Sequence, residues 1–157
     1  MEVIIAIKKG FADTPYPGSR RIDISATKYD DEGVYEYFVG SDQFDHDVKD
    51  LWYHSCALSF FTDAAFRYWI PAFMIAELEN PVEADIIGES IAFHLSKAQG
   101  AHDKICQFSQ SEIEALKLFL TTCVDNSDEI YAAVYQKALD KIAKAEQNSA
   151  HQSTTAP

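Results

Sequence analysis

The chain has 157 residues, with 25 acidic against 13 basic for a net charge of −12, and 47% of it is apolar. That is the length of one domain with enough apolar mass for a core, so a disordered or collagen-like chain is excluded. No apolar run approaches the ~20 residues of a membrane span, and the charge opposes binding to a phosphate backbone or an anionic membrane surface.

Val3, Ile4, Ile7 and Phe11 share one helix face, which predicts a helix over residues 2–11. Thr14-Pro15-Tyr16-Pro17-Gly18 ends it in a rigid turn. Residues 21–29 alternate weakly through Ile22, Ile24 and Ala26, as an extended connection or short strand would. A short helix is expected over 31–39, with Val34, Tyr35 and Phe38 on its apolar side. A second start near Asp45 puts Val48, Leu51, Trp52 and Ser55 on one stripe. Thr62 is a good N-cap for a helix over 64–78 that is apolar all round, and Pro71 inside it should kink or split it. Asn80-Pro81-Val82-Glu83 restarts a helix carrying Ala84, Ile87, Ile91 and Leu95 as far as Gly100. Ser109-Gln110-Ser111-Glu112 is a capping box for a helix burying Ile113, Leu116, Leu120 and Val124. The last helix is expected over 129–147, with Tyr131, Val134, Ala138 and Ile142 inward. A small polar stretch at 148–157 should be a disordered tail. The sum is one all-α domain over 1–147. Six or seven helices should pack round a central apolar helix at about 63–78, with 21–29 as the one candidate extended segment.

The positive charge at Lys8 and Lys9 follows a short apolar run instead of preceding it, so no export signal is read and a cytoplasmic protein is expected. Cys56, Cys106 and Cys123 are too widely spaced for a metal knuckle and are expected as buried, inert thiols. His94 and His102 lack the spacing of a helical metal pair. His46, between Asp45 and Asp47, lies in an acidic stretch without calcium-loop order. No catalytic motif, phosphate loop or dinucleotide fingerprint occurs, so no catalytic residue, metal or cofactor is expected. Glu112 and Glu114 read as an exposed pair. Arg67 is the only basic residue between Lys49 and Lys97 and sits in the most apolar segment. It needs a carboxylate partner, for which Asp13 is the candidate, or it forms an anion site.

Residues 30–50 hold Asp30, Asp31, Glu32, Glu36, Asp42, Asp45, Asp47 and Asp50 against Lys49 alone. Tyr35, Tyr37, Phe38, Phe44 and Trp52 are interleaved with or follow them. Acids with aromatics suit a surface that grips a basic protein. A solvated face with its aromatics turned inward fits the same pattern.

Two blocks stand out: Phe11-Ala12-Asp13-Thr14-Pro15-Tyr16-Pro17-Gly18, and Leu58-Ser59-Phe60-Phe61-Thr62 followed by Ala65-Phe66-Arg67-Tyr68 and Pro71-Ala72-Phe73. In order and spacing they resemble a bacterial all-helical domain family of unknown function, over roughly residues 3–124. Phe61, where the family shows Leu, and Ile70 before the proline are small departures. The helix from Glu129 looks peculiar to this chain. The resemblance implies an intracellular bacterial helical domain and brings no activity with it. Asp13, Pro15, Tyr16, Pro17, Gly18, Arg67, Tyr68 and Pro71 read as an architectural signature.

The expected function is a non-catalytic acidic binding protein. An immunity-type inhibitor would cover the basic active site of a toxin or effector encoded nearby, through residues 30–50. A small enzyme or ligand binder with Tyr16, Arg67, Tyr68 and His94 converging is the alternative. A homo-oligomeric scaffold is the third reading.

Overall fold

The computed structural model describes residues 1–22, 33–98 and 100–153, with side chains to residue 148. Among the described residues it is all-α, with ten α-helices, one 3₁₀ turn and no strand. They are α1 (Glu2–Phe11), the 3₁₀ turn Ser19–Arg21, α2 (Val34–Phe38), α3 (Val48–Tyr53), α4 (Ala57–Phe60) and α5 (Asp63–Glu79). Then follow α6 (Pro81–Ala84), α7 (Ile87–Ser96), α8 (Ala101–Ile105), α9 (Gln110–Asn126) and α10 (Glu129–Ser153). The count exceeds the predicted six or seven because the helix expected from Asn80 is two, α6 and α7, and because α4 and α8, of four and five residues, were not foreseen. Elements that short carry too little periodicity to be read.

Helix α5 is the expected central element. Phe66, Trp69, Ile70, Phe73 and Met74 are fully buried, and α5 packs against α1, α3, α6 and α7. Thr62 caps it, its Oγ1 accepting the Ala65 N–H at 3.2 Å. The helix is not split at Pro71, which is buried within a continuous Asp63–Glu79. A proline in a helix interior costs about 3 kcal/mol, and burial of α5 on all sides offsets it. The aromatic surplus collects on this helix. Trp69 stacks on Phe61 at 5.4 Å and lies 5.3 Å from Phe38. Phe66 and Phe11 both meet Phe108 edge-on.

The predicted helix from Asn80 is two helices. Asp85, with φ +52°, ends α6 after one turn, and α7 starts afresh at Ile87. Asn80 makes no side-chain cap hydrogen bond there. Helix α10 passes the predicted end at residue 147 and runs to Ser153. Its inward face is the predicted one at Val134, Ala138 and Ile142, but Tyr131 is exposed and Tyr135 is buried in its place. Helices α9 and α10 lie side by side, tied by Lys117 Nζ and Glu146 Oε2 at 3.2 Å. Helix α1 packs on α9 at a close approach. A Cβ on Gly10 would lie 2.8 Å from the Ser111 carbonyl oxygen and 2.9 Å from Ala115 Cβ. Only glycine lets the two backbones come this near.

Of the candidate extended segment, Arg21 ends the 3₁₀ turn and Ile22 is buried, its carbonyl accepting the Thr62 N–H at 3.0 Å. Residues 23–29 lie outside the described residues.

Candidate partner-binding surface

Several of the signature residues are tied into the fold, with a different partner for Arg67 from the one expected. Asp13 is exposed and does not hold Arg67. The Arg67 guanidinium Nε donates to Glu112, at 2.8 Å to Oε2 and 3.0 Å to Oε1. Glu112, expected on an exposed face, is 1% exposed. It also accepts the Thr14 hydroxyl at 2.5 Å and the Ser109 N–H at 2.6 Å. The anion that Arg67 binds is therefore this chain's own carboxylate. The capping box of α9 is present as read, and its glutamate also joins the first signature block to the second. Tyr16 lies edge-on to Tyr68 at 5.4 Å and to Trp69 at 5.9 Å, and its hydroxyl accepts the Gly40 N–H at 2.9 Å. Gly18, at φ +84°, supplies the turn.

Of the four residues of the alternative site, Tyr16 and Tyr68 meet, while Arg67 is taken by Glu112 and His94 by Ser59. His94 places Nε2 3.2 Å from Ser59 Oγ and its ring 5.9 Å from Phe66. Burial first, then the nearby Lys104 charge, pushes its imidazole down to about 4. Lys104 pairs with Asp63 at 3.0 Å and lies 4.2 Å over the Phe66 ring.

Of the acidic set, Asp30, Asp31 and Glu32 lie outside the described residues. Glu36, Asp42, Asp45, Asp47 and Asp50 are all exposed. Four of them gather around Tyr37 and His46. The Tyr37 phenol is pushed up to about 12 by burial, then by the charges of Asp50, Asp47 and Asp45. Burial lowers the His46 imidazole, against the Asp42 carbonyl and the charges of Asp45, Asp42 and Asp50. His46 Nε2 lies 2.7 Å from the Asp42 carbonyl, which can only accept, so Nε2 carries the proton. Nδ1 lies 3.1 Å from Tyr37 Oη, and the phenol is also hydrogen-bonded to Asp50. The ion pairs among the described residues involve none of these five acids. Two of them also shape the backbone. Asp42 Oδ1 accepts the Phe44 N–H, and Asp47 Oδ1 caps α3 through the Lys49 N–H, each at 2.8 Å.

The aromatics divide. Phe38 is buried, and Tyr35, Tyr37 and Phe44 are half-buried against the core. Trp52, predicted on the inward stripe, is 47% exposed, and Tyr53 beside it is 61% exposed. Leu51 carries α3 into the core, with Val48 half-buried against it. Sequence reasoning missed Tyr53 because three turnless residues in a row, Leu51 to Tyr53, give no direction on a helix this short.

A second polar cluster was not foreseen. Glu77 Oε2 accepts the Gly88 N–H at 3.0 Å. A Cβ on Gly88 would collide with Tyr135 Oη and lie 2.8 Å from Glu77 Cδ, which places the phenol and the carboxylate together. Glu77 and Cys123 line a cavity of about 180 Å³ that reaches Asn126 and Ser127. Burial, and the neighbouring Glu89, push the Glu77 carboxyl up to about 7, although the Gly88 N–H opposes this. Burial also raises the Cys123 thiol to about 12 and the Tyr135 phenol above its ordinary range. A carboxyl whose folded value lies above its unfolded 4.5 stabilises the fold fully below 4.5 and loses that contribution as pH rises through about 7. The stability difference between wild type and Glu77→Gln should therefore shift against wild type across that window, read as melting temperature against pH. His94 acts in the opposite sense: its contribution is present above 6.5 and lost as pH falls towards about 4.

Cys123 is buried as expected, but Cys56 is half-buried and Cys106 is exposed, its Sγ 3.7 Å from His102 Nε2. Among the described residues, no three or more His, Cys, Asp or Glu side chains are arranged to hold a metal ion. No described helix is long and apolar enough to cross a membrane.

Neither a curated protein nor a solved structure matches the chain significantly. A family model matches residues 1–144, so the similarity extends well into α10, and that helix is not peculiar to this chain. With its two signature blocks joined through Glu112 inside an all-helical domain, the chain belongs to the family of unknown function DUF6714.

Proposed function

We propose that this chain is a non-catalytic binding protein whose acidic face docks a basic protein, in the manner of a bacterial, cytoplasmic immunity-type inhibitor covering a toxin or effector. The supporting observation is the gathering of Asp42, Asp45, Asp47 and Asp50 round Tyr37 and His46, without a paired cation among the described residues. On α3, close in sequence to Asp50, Trp52 and Tyr53 are exposed. Clustered charge steers a basic partner in, and exposed aromatics anchor it. A ligand site built on Arg67 loses its cation to Glu112.

The test must separate charge from folding, because Asp42 and Asp47 also hold backbone N–H groups. Asparagine keeps those caps. The variant is therefore Asp42→Asn with Asp45→Lys and Asp47→Asn. The partner is captured from the native host, purified and recombined with wild type and variant. A stoichiometric basic protein is expected, with its activity blocked by wild type and its association slowed by about tenfold or more in the variant. Binding should weaken as salt rises. An acidic partner, or unchanged association by the folded variant, would overturn the proposal.

A further inference from the structure

Helix α3 and the corner between α6 and α7 enclose a groove of about 410 Å³, lined by Trp52, Tyr53, Ser55, Cys56, Asp85 and Ile86. That volume lies within the usual range of small-molecule seats. Its walls are apolar and open: Trp52, Tyr53 and Ile86 are 47%, 61% and 54% exposed. Its one charged lining group is Asp85, which is exposed and held at φ +52°. The Trp52 indole N–H reaches the Asp85 carboxylate at 3.5 Å, a long contact. Such a contact leaves the carboxylate most of its capacity to accept hydrogen bonds. Lys49 does not fill the groove. Its Nζ lies 4.0 Å from Glu83, with the two side chains 76% and 48% exposed.

We infer that this groove seats an arginine side chain of the basic partner. The inference rests on the acidic-face reading and names the residue chemistry that reading leaves open. A purely apolar occupant would strip water from Asp85 without replacing its hydrogen bonds. A lysine would supply a point charge and no flat surface. Guanidinium is planar, stacks on indole and phenol faces, and presents a fork of N–H donors to a carboxylate. Trp52, Tyr53 and Asp85 offer those complements side by side. Glu83 on α6 is offset by Lys49, so the local charge of the groove is that of Asp85.

The chain contains one tryptophan in the groove and one in the core, so the site reports on itself. Full-length, ¹⁵N-labelled protein is titrated with acetyl-hexaarginine amide and, separately, acetyl-hexalysine amide. Saturable movement of the Trp52 indole N–H resonance is expected, with the Trp69 resonance unmoved. Hexaarginine should bind several-fold more tightly than hexalysine at equal charge. Asp85→Asn keeps a side chain suited to positive φ and should weaken hexaarginine about tenfold, equivalent to the loss of one charge-assisted contact. Asp140→Asn, on remote α10, should leave it within about twofold. Equal binding of the two peptides with Trp52 unmoved, or Asp85→Asn behaving like Asp140→Asn, overturns the groove and leaves the acidic face standing. Failure of both peptides to bind counts against both.

Discussion

Replacing Glu112 by alanine is expected to destabilise the fold by about 3–5 kcal/mol, the cost of removing one partner from a buried ion pair. Three donors lose their acceptor together: the Arg67 guanidinium, the Thr14 hydroxyl and the Ser109 N–H. Arg67 has little water to turn to, since its side chain is 26% exposed. In a chain of this length each kcal/mol is worth about 2–4 °C in melting temperature, so a fall of roughly 10 °C is expected by circular dichroism. Glu112→Gln keeps an acceptor for Thr14 and should fall between wild type and alanine. Combining Glu112→Ala with Arg67→Ala should cost less than the sum of the two, because the second change removes the stranded charge. A change within about 0.5 kcal/mol, as at an ordinary surface site, would show that the pair does not anchor the fold.

Trp69→Ala should cost a similar amount, about 3–5 kcal/mol, through lost burial and the cavity left behind. Trp69 is fully buried and touches the rings of Phe61, Phe38, Tyr16 and Tyr68. Its indole N–H also donates to Ser41 Oγ at 3.1 Å, next to Asp42 at the start of the acidic loop. Trp69→Phe separates the two roles. It keeps most of the ring packing and removes that hydrogen bond, worth about 1 kcal/mol net. Amide hydrogen exchange at residues 40–46 should then speed up while the core stays protected. Denaturant unfolding of both variants, with exchange on the second, measures each role. Unchanged exchange in Trp69→Phe would remove the link between core and acidic loop.

Long helices and their caps were legible in the sequence. The boundaries of α1, the Thr62 cap and the Ser109 to Glu112 box all follow from local hydrogen-bonding chemistry and apolar spacing. The burial of Glu112 was not legible, because its other partners, Arg67 and Thr14, lie 45 and 98 residues away. A capping glutamate reads the same whether it faces water or a guanidinium. The break at Asp85 was missed because no glycine or proline marks it, and aspartate is among the few residues that tolerate positive φ. The extension of α10 was missed because polarity was taken for disorder. Asn148, Ser149, His151 and Ser153 are weak helix formers, yet the helix carries on through them from the strong formers between Lys141 and Gln147. The acidic face was visible as charge, but its aromatic anchors were misassigned. Trp52 turns outward because the groove beside α6 leaves it uncovered. Glu77, Glu89, Cys123 and Tyr135 sit on four different helices or their ends, so only the fold brings them together.

The meeting of α1 with α9 also sets a timetable for synthesis. The Gly10 carbonyl waits for Ser111, and Thr14 waits for Glu112, separations of 101 and 98 residues. At about 5–20 residues per second, the first helix leaves the ribosome roughly 5–20 s before its partner exists. During that interval the stripe holding Ile7 and Phe11, both fully buried in the finished domain, has at most the part of its native cover that α5 supplies. The nascent chain therefore leaves its earliest apolar stripe only partly covered until its ninth helix is made.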